Sequence, residues 1–430
     1  MPRSGAKKKN RGERQRRRPP SDERQNDGTM NDDILRRQFL RHVAQTSPAP
    51  LLIEVERAEG TFFYTPGGKR YYDLVAGVSV SNVGHANPAV VRAVQEQAAR
   101  YMHVMVYGEL VERPQVRYAA RIAELLPPPL ESVYFVNSGA EAVEGALKLA
   151  KRFTGRTELV AMRRAYHGST HGALSVMGAP EGEEWKGAFR PLLPDVRAIR
   201  FNEPEELERI TRRTACVLVE PVQGEAGVRP PAPGYLEALR RRCDQTGALL
   251  IFDEIQTGMG RTGALFAMQR YGVTPDIVCL AKAFGGGMPL GAFVSSREIM
   301  EGLSHHPALG HITTFGGHPV CCAAGLAALE YLLENDVVAG VEAKGALYAE
   351  LLGDHPAVRE IRRSGLLLAV ELGSSDKLFR IMELFGQAGI LSDWFLFCDT
   401  AFRISPPLTI SEEEVRESAA LIRECLDQLR

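Results

Sequence analysis

The sequence predicts an α/β fold: a large domain with a mainly parallel sheet covered by helices, and a smaller α+β domain beside it. Two observations carry this expectation. Short runs rich in Val, Ile, Leu and Phe recur between about Leu110 and Val294, at Val133 to Val136, Glu158 to Met162, Val196 to Phe201, Cys216 to Glu220, Leu249 to Asp253, Ile277 to Leu280 and Gly291 to Ser295. Stretches of helical length separate them, and strands alternating with helices build parallel sheets covered on both faces. After Thr313 the chain reads as largely helical, with Leu366 to Leu372 and Ala401 to Ile404 as strands, the pattern of a second unit. Right-handed crossovers bring the carboxyl ends of parallel strands to one edge, which is the expected site.

At 430 residues and 44% hydrophobic content, the chain can bury a large core without disulfides or metals. A net charge of -1 gives no overall bias toward nucleic acid or anionic membrane. The seven cysteines are odd in number, lie mostly in apolar runs and form no C-x-x-C pair. That usage suits reduced core thiols in a cytoplasmic protein and argues against zinc. No apolar run approaches the roughly 18 residues that span a bilayer.

In chain order, residues 1–30 read as a disordered basic tail, with Lys7 to Lys9, Arg16 to Arg18 and Pro19-Pro20. The tail lacks the apolar centre of a signal peptide, and it reads as a solvated extension with at most weak contact to nucleic acid. Residues 31–80 follow as an N-terminal segment joining the small domain: a short helix, the Ser47-Pro-Ala-Pro50 break, then Leu51 to Glu56 and Gly60 to Leu74 as a small sheet around the Pro66-Gly-Gly turn. Residues 81–325 form the large domain, in which Asn87-Pro88 caps a helix carrying Val90, Val91, Val94 and Ala98 on one face. Residues 326–430 complete the C-terminal small domain.

The chemistry gathers behind the strands. Ile277 to Leu280 is followed by Ala281-Lys282-Ala-Phe and three glycines, so Lys282 stands at a strand's carboxyl end. A lysine there either is a solvated loop residue or, with its pKa lowered by partial burial, forms a Schiff base with a carbonyl. Phe135-Val-Asn-Ser138-Gly139-Ala140-Glu141 opens a helix, and its start is either an ordinary N-cap or a phosphate site. Two carboxylates, Glu220 and Glu225, follow the strand at Cys216, and Asp253 ends the strand at Leu249. A buried carboxylate at Asp253 needs a cation. Pyridoxal phosphate satisfies all three needs, with an aldehyde for Lys282, a protonated ring nitrogen for Asp253 and a phosphate for Ser138 to Ala140.

N-S-G-A-E-A (137–142), Y-H-G-S-T (166–170), V-E-P-V-Q-G-E-A-G (219–227), F-D-E-I-Q-T-G-M-G-R-T-G (252–263), A-K-A-F-G-G-G-M-P-L-G-A (281–292) and T-F-G-G-H-P (314–319) together closely resemble the class III pyridoxal-phosphate aminotransferases, the ornithine, acetylornithine and 4-aminobutyrate type. The likeness runs in order over about residues 45 to 425. It implies fold type I, the cofactor pyridoxal 5'-phosphate, and a homodimer with shared active sites. It further implies a ping-pong transfer of an amino group from an ω-amine or amino acid to a 2-oxo acid such as pyruvate or 2-oxoglutarate.

At matching positions the resemblance makes Lys282 the cofactor-bearing residue and the base that moves the Cα proton, and Asp253 the partner of the ring nitrogen. Ser138, Gly139 and Ala140 would bind phosphate, and Thr314 would reach it from the neighbouring subunit. Tyr166 would stack on one ring face and Ile255 on the other, although both could simply pack in the core. Gln256 would touch the ring hydroxyl, and His167 and Glu220 complete the cofactor-binding set. Arg403 would bind the substrate's α-carboxylate and Glu225 would cover it when that carboxylate is absent; the pair could also be a structural salt bridge.

Two substrate-side positions depart from the family pattern. Ser169 follows His167-Gly168 where relatives using 2-oxoglutarate carry arginine, and Val78 stands where ornithine enzymes carry tyrosine. Arg163 or Arg164 could take over the missing clamp. The other readings are an aminomutase, racemase or decarboxylase of the same family, or a non-catalytic binding protein on the same fold. Removing residues 1–29 is expected to leave activity and dimerisation intact, which a truncated protein assayed for both would check.

Overall fold

The computed structural model describes residues 29–106 and 108–429. Residues 1–28, most of the segment read as a basic tail, lie outside the described residues; Thr29 and Met30 already belong to a helix, Thr29–His42. Residues up to 54 form one unit and those from 55 onward another.

In the second unit three short strands, β1 (Arg57–Glu59), β2 (Phe62–Tyr64) and β3 (Arg70–Asp73), pair antiparallel, and Ile390–Leu391 from far along the chain adds to β3 in parallel. Leu51 to Glu56 forms no strand, contrary to expectation. Leu52 has φ 55°, a left-handed backbone that breaks an extended run. Asn87 caps the helix Pro88–Arg100 by accepting from the Ala89 amide, as its sequence suggests, but that helix buries Val90 and leaves Val91 40% exposed.

The central sheet holds β4 (Ser132–Val136), β5 (Glu158–Met162), β6 (Val196–Ile199), β7 (Thr214–Val219), β8 (Leu249–Asp253), β9 (Ile277–Leu280) and β10 (Gly291–Ser295). Their order is β4-β10-β9-β8-β7-β5-β6. Continuous apolar runs such as Thr214–Val219 are buried along their whole length, as a strand covered on both faces requires. One strand departs from the parallel expectation: β10 runs antiparallel to both β9 and β4. The segment between β9 and β10 is too short for the dozen-residue crossover that a parallel return needs. It is therefore the start of β10, at Gly291, that lies beside the carboxyl ends of its neighbours.

The helix Gly139–Thr154 follows β4. Ser138 caps it by accepting from the Glu141 amide, Gly155 ends it at φ 66°, and Val143, Ala146, Leu147 and Ala150 pack its apolar face on the sheet. Burying a side chain such as Leu147 contributes about 1.5–3 kcal/mol.

A third sheet holds Glu360–Ser364, Leu367–Glu371, Cys398–Ile404 and Trp394–Phe395. Its first strand, carrying Glu360, Arg362 and Arg363, shows no apolar run in the sequence. Arg261, fully buried, ties this sheet to the central region by donating to the carbonyls of Leu366 and Pro406 and to Asn82 Oδ1.

Candidate active site

The carboxyl ends of β4, β7, β8 and β9 enclose a cavity of about 690 Å³. Lys282, Asp253, Ser138, Gly139, Ala140, Tyr166, His167, Glu220, Glu225, Ile255, Gln256 and Val78 all line it. These come from six separate stretches of sequence, and the sheet edge is what gathers them.

Lys282 leaves the sheet immediately after β9 with φ 53°, a conformation that costs a non-glycine residue about 1–2 kcal/mol. Burial lowers its pKa; the nearby Arg403 lowers it further, while Glu225, Asp253 and Glu220 oppose the shift. A depressed ammonium pKa raises the share of free amine, the form that attacks a carbonyl. Asp253, 4% exposed, holds His167 Nδ1 at 2.7 Å through Oδ2 and accepts the Ile255 amide through Oδ1 at 3.1 Å. An ionised carboxylate has about four acceptor positions, so room remains for a further N–H.

At the other end of the cavity the first amides of the helix Gly139–Thr154 have no acceptor within the helix, and the helix dipole adds partial positive charge. Backbone comes close here because residue 139 is glycine: a Cβ there would lie 2.9 Å from Ile255 Cδ1. Ser138 is an N-cap, as the plainer reading has it, and its hydroxyl proton is still free to donate. His167 Nε2 and Gln256 Nε2 are buried without a hydrogen-bond partner among the described residues. Such orphaned polar atoms are costly unless a ligand meets them.

Glu220 has another part. Its carboxylate accepts the Gly224 amide at 3.0 Å and the Tyr166 amide at 3.4 Å, so it ties two loops of the cavity together. Burial raises its pKa to about 7. Glu225 is the opposite case: burial pushes its pKa up, but the charge and hydrogen bond of Arg403 outweigh this and hold it low. Arg403 Nη2 donates to Glu225 Oε1 at 2.8 Å. Arg403 is not itself on the cavity lining; its partner Glu225 is.

The lining also has an apolar part, Val78, Val80, Val222, Met288 and Leu290. Val78 reaches it from a segment in which Ala76, Gly77, Val78 and Ser79 all have positive φ. A β-branched residue in that region is strained, and strain of this kind collects where a site fixes the backbone. Ser169 lines the cavity and lies 3.1 Å from the Tyr166 hydroxyl. Arg163 donates twice to Glu181 and Arg164 lies 3.7 Å from the same carboxylate; neither lines the cavity, so the structure does not support them as a second carboxylate clamp. Thr314 is exposed and away from the cavity of its own chain.

The sequence passed over Asp393, which sits 2.9 Å from Arg403 Nε. No motif marks it; the only signal is its position just before Trp394–Phe395, the strand that pairs with the one bearing Arg403. The apolar lining residues Val80, Val222 and Leu290 were also unread, because a valine or leucine in a strand-rich segment looks like core.

A lysine with lowered pKa, a buried carboxylate and an open helix start, all on one cavity, suit amine and carbonyl chemistry with a phosphorylated aldehyde. Residues 43–426 match the family model Aminotransferase class-III, and the chain belongs to that family. It is 41% identical over 372 residues to an acetylornithine aminotransferase of Methanopyrus kandleri, covering 86% of this chain and 92% of that one. Its fold is similar to that of the ornithine aminotransferase from Toxoplasma gondii, described with partial occupancy of pyridoxal phosphate at the active site, at a TM-score of 0.84 and 30% identity over 94% of this chain and 96% of that chain. An (S)-enantioselective omega-transaminase from Thermomicrobium roseum gives a TM-score of 0.84 at 31% identity, over 92% of this chain and 98% of that chain.

The class III family is pyridoxal-phosphate-dependent, and the orphaned His167 and Gln256 nitrogens, the glycine-lined helix start and the Lys282/Asp253 pair fit that cofactor. The chain is therefore a pyridoxal-phosphate-dependent aminotransferase. The aminomutase, racemase, decarboxylase and non-catalytic readings are not favoured.

Proposed function

We propose that this aminotransferase moves the amino group of an ω-amine or amino acid to a 2-oxo acid by a ping-pong cycle, as a cytoplasmic homodimer. The observation that carries the assignment of roles is the single cavity that holds Lys282, Asp253 and the open start of the Gly139–Thr154 helix. Bound pyridoxal phosphate supplies an electron sink that makes the substrate's Cα proton acidic. Lys282 holds the cofactor and then shuttles that proton at Cα. Asp253, oriented by His167, keeps a positive charge on the ring nitrogen. Gly139 and Ala140 offer amides to the phosphate with Ser138. Tyr166 and Ile255 confine the ring, and Gln256 meets its hydroxyl.

The names of the relatives, acetylornithine, ornithine and ω-transaminases, support an ω-amine donor. Arg403 reads an α-carboxylate once Glu225 moves aside. With Ser169 in place, no arginine is found among the described residues that line the cavity, so an acceptor with one carboxylate suits it better than one with two. Offered separately with the same amine donor, pyruvate should give a higher kcat/KM than 2-oxoglutarate. Ser169→Arg should raise kcat/KM for 2-oxoglutarate by about tenfold or more, the contribution of a charge-assisted hydrogen bond. A protein that already prefers 2-oxoglutarate would overturn this account of Ser169.

The dimer is supported by an apolar face. Met102, Val104, Met105, Val111, Ile312 and Phe315 are between 39% and 92% exposed. The two segments meet where the His103 and Phe315 rings lie 4.7 Å apart, next to Thr314. Exposed apolar groups in such number suit an interface, and a second copy there would bring its Thr314 toward the phosphate end of the cavity. For the domain layout, residues 81–325 would bind the cofactor and residues 326–430 with 31–80 would form the smaller domain, supported by the pairing of Ile390–Leu391 with β3. The cytoplasmic assignment rests on seven free cysteines, six of them buried. No helix among the described residues is long and apolar enough to cross a membrane.

A further inference from the structure

Arg403 is a buried guanidinium with two carboxylates, and the two differ in how they are attached. Its side chain is 1% exposed. Nη2 donates to Glu225 Oε1 at 2.8 Å, and Glu225 belongs to the loop that follows β7 in the central sheet. Nε lies 2.9 Å from Asp393 Oδ1, a contact of charges more than an aligned hydrogen bond. Asp393 belongs to the same hairpin as Arg403: the Arg403 amide donates to the Asp393 carbonyl at 2.9 Å, the Ser392 hydroxyl donates to the Arg403 carbonyl at 2.7 Å, and Trp394 pairs with Phe402. Phe395 from that hairpin covers the guanidinium at 4.6 Å from its ring centroid.

The consequence lies in which edge of the guanidinium is open. Asp393 occupies the Nε side. Nη1 is buried with no hydrogen-bond partner among the described residues, and Nη2 is held by Glu225 alone among carboxylates. If Glu225 swings out, the Nη1/Nη2 edge is left for an incoming carboxylate, and that edge accepts one bidentately. Asp393 is part of the hairpin of Arg403 by its own backbone, whereas the Glu225 side chain is joined to that hairpin only by hydrogen bonds, Oε2 accepting the Leu396 amide at 3.1 Å, so it can leave while Asp393 stays.

We propose that Asp393 is the fixed anchor of Arg403: it holds the Nε side in both states of the site, so that only the Nη1/Nη2 edge is exchanged between Glu225 and the substrate's α-carboxylate. The inference rests on Arg403 being the carboxylate reader. Asp393 is a positioning residue, since it touches Arg403 and not the substrate. It also keeps Arg403 from being left as a buried cation without a partner while Glu225 is displaced, a state that is costly.

The titration of Asp393 agrees with this role. Burial raises its carboxyl to about 6 against the opposing pull of Arg403; Glu225 raises it further and Lys282 lowers it. Below that pH the anchor is neutral and the hold on Nε weakens. Glu220, at about 7, titrates in the same cavity, but it is common to the unmodified protein and to an Asp393 variant.

The test uses the holoenzyme and pyruvate as the probe. Affinity is read by calorimetry, and the amine-loaded enzyme is followed at the cofactor band for half-saturation and limiting rate. Asp393→Asn, close to isosteric, should weaken pyruvate binding and raise half-saturation by about tenfold to a hundredfold, the range for losing an interaction with a charged group. Its limiting rate should change by no more than about threefold. In the unmodified protein, half-saturation should climb as pH falls through about 6, and in Asp393→Asn that climb should be absent. Unchanged or tighter pyruvate binding in Asp393→Asn would overturn the anchor, because a competitor for Arg403, when removed, improves binding. Arg403→Gln separates the two levels: if it binds pyruvate as well as the unmodified protein, the reader falls and the anchor with it. If it loses pyruvate while Asp393→Asn does not, the anchor alone is wrong.

Discussion

Lys282→Ala should abolish both turnover and the absorption band of the lysine-held cofactor. The side chain leaves β9 at the one edge where the carboxyl ends of four strands converge, and no other lysine lines the cavity. Alanine removes the amine proposed to hold the cofactor and, with it, the one lysine among the described residues lining the cavity. Cofactor could still enter through the helix start and Asp253, but its spectrum would be that of free aldehyde rather than of a lysine adduct. The loss in kcat should be at least about 10⁴-fold, since it removes covalent attachment and general base together. Spectroscopy of the purified variant after dialysis against cofactor, followed by an assay with amine and pyruvate, checks both halves. Retained turnover at near-normal rate would contradict the role of Lys282.

Asp253→Asn should keep the cofactor and lose most of the rate. Asparagine has nearly the same shape and can still accept the Ile255 amide and meet His167, so the cavity should hold. What disappears is the negative charge that, on the proposed role of Asp253, would keep the ring nitrogen protonated, and an unprotonated ring would be a poor acceptor of electrons from Cα. Removing one preorganised electrostatic partner of this kind costs roughly 10²–10³ in kcat. The cofactor content of the variant should stay near stoichiometric while kcat drops, with little change in the thermal midpoint. Near-normal activity would remove Asp253 from the mechanism.

Much of the fold was legible because parallel strands covered on both faces are almost wholly apolar. Leu249–Asp253 and Ile277–Leu280 stand out as runs with their bounds intact. Direction was not legible: nothing in Gly291–Ser295 says that it returns antiparallel, since that follows from the length of the connection and not from the strand. Nor was the strand Glu360–Ser364, whose charged residues pair with groups elsewhere, Arg362 with Glu371 and Arg363 with Glu342.

The lining residues were legible where a chemical need singled them out. Asp253 ends an apolar strand, where a carboxylate is expensive without a cation, and Lys282 stands at a strand end just before three glycines. Glu220 was found but its work differs from direct cofactor contact alone, because its carboxylate is taken up by the Gly224 and Tyr166 amides. Asp393 could not be found this way. Its importance comes from a contact with the neighbouring strand, and an acid in a short link between strands reads as solvated.

The measurement that bears most directly on the central account is the isolated half-reaction. Purified enzyme with bound cofactor is mixed with an amine donor and no oxo acid, and the cofactor band is followed. The account predicts one stoichiometric loss of the band, release of one carbonyl product per site, and restoration of the band by pyruvate alone. Continued product formation from the amine without any oxo acid, or no change in the band with any donor, would contradict it.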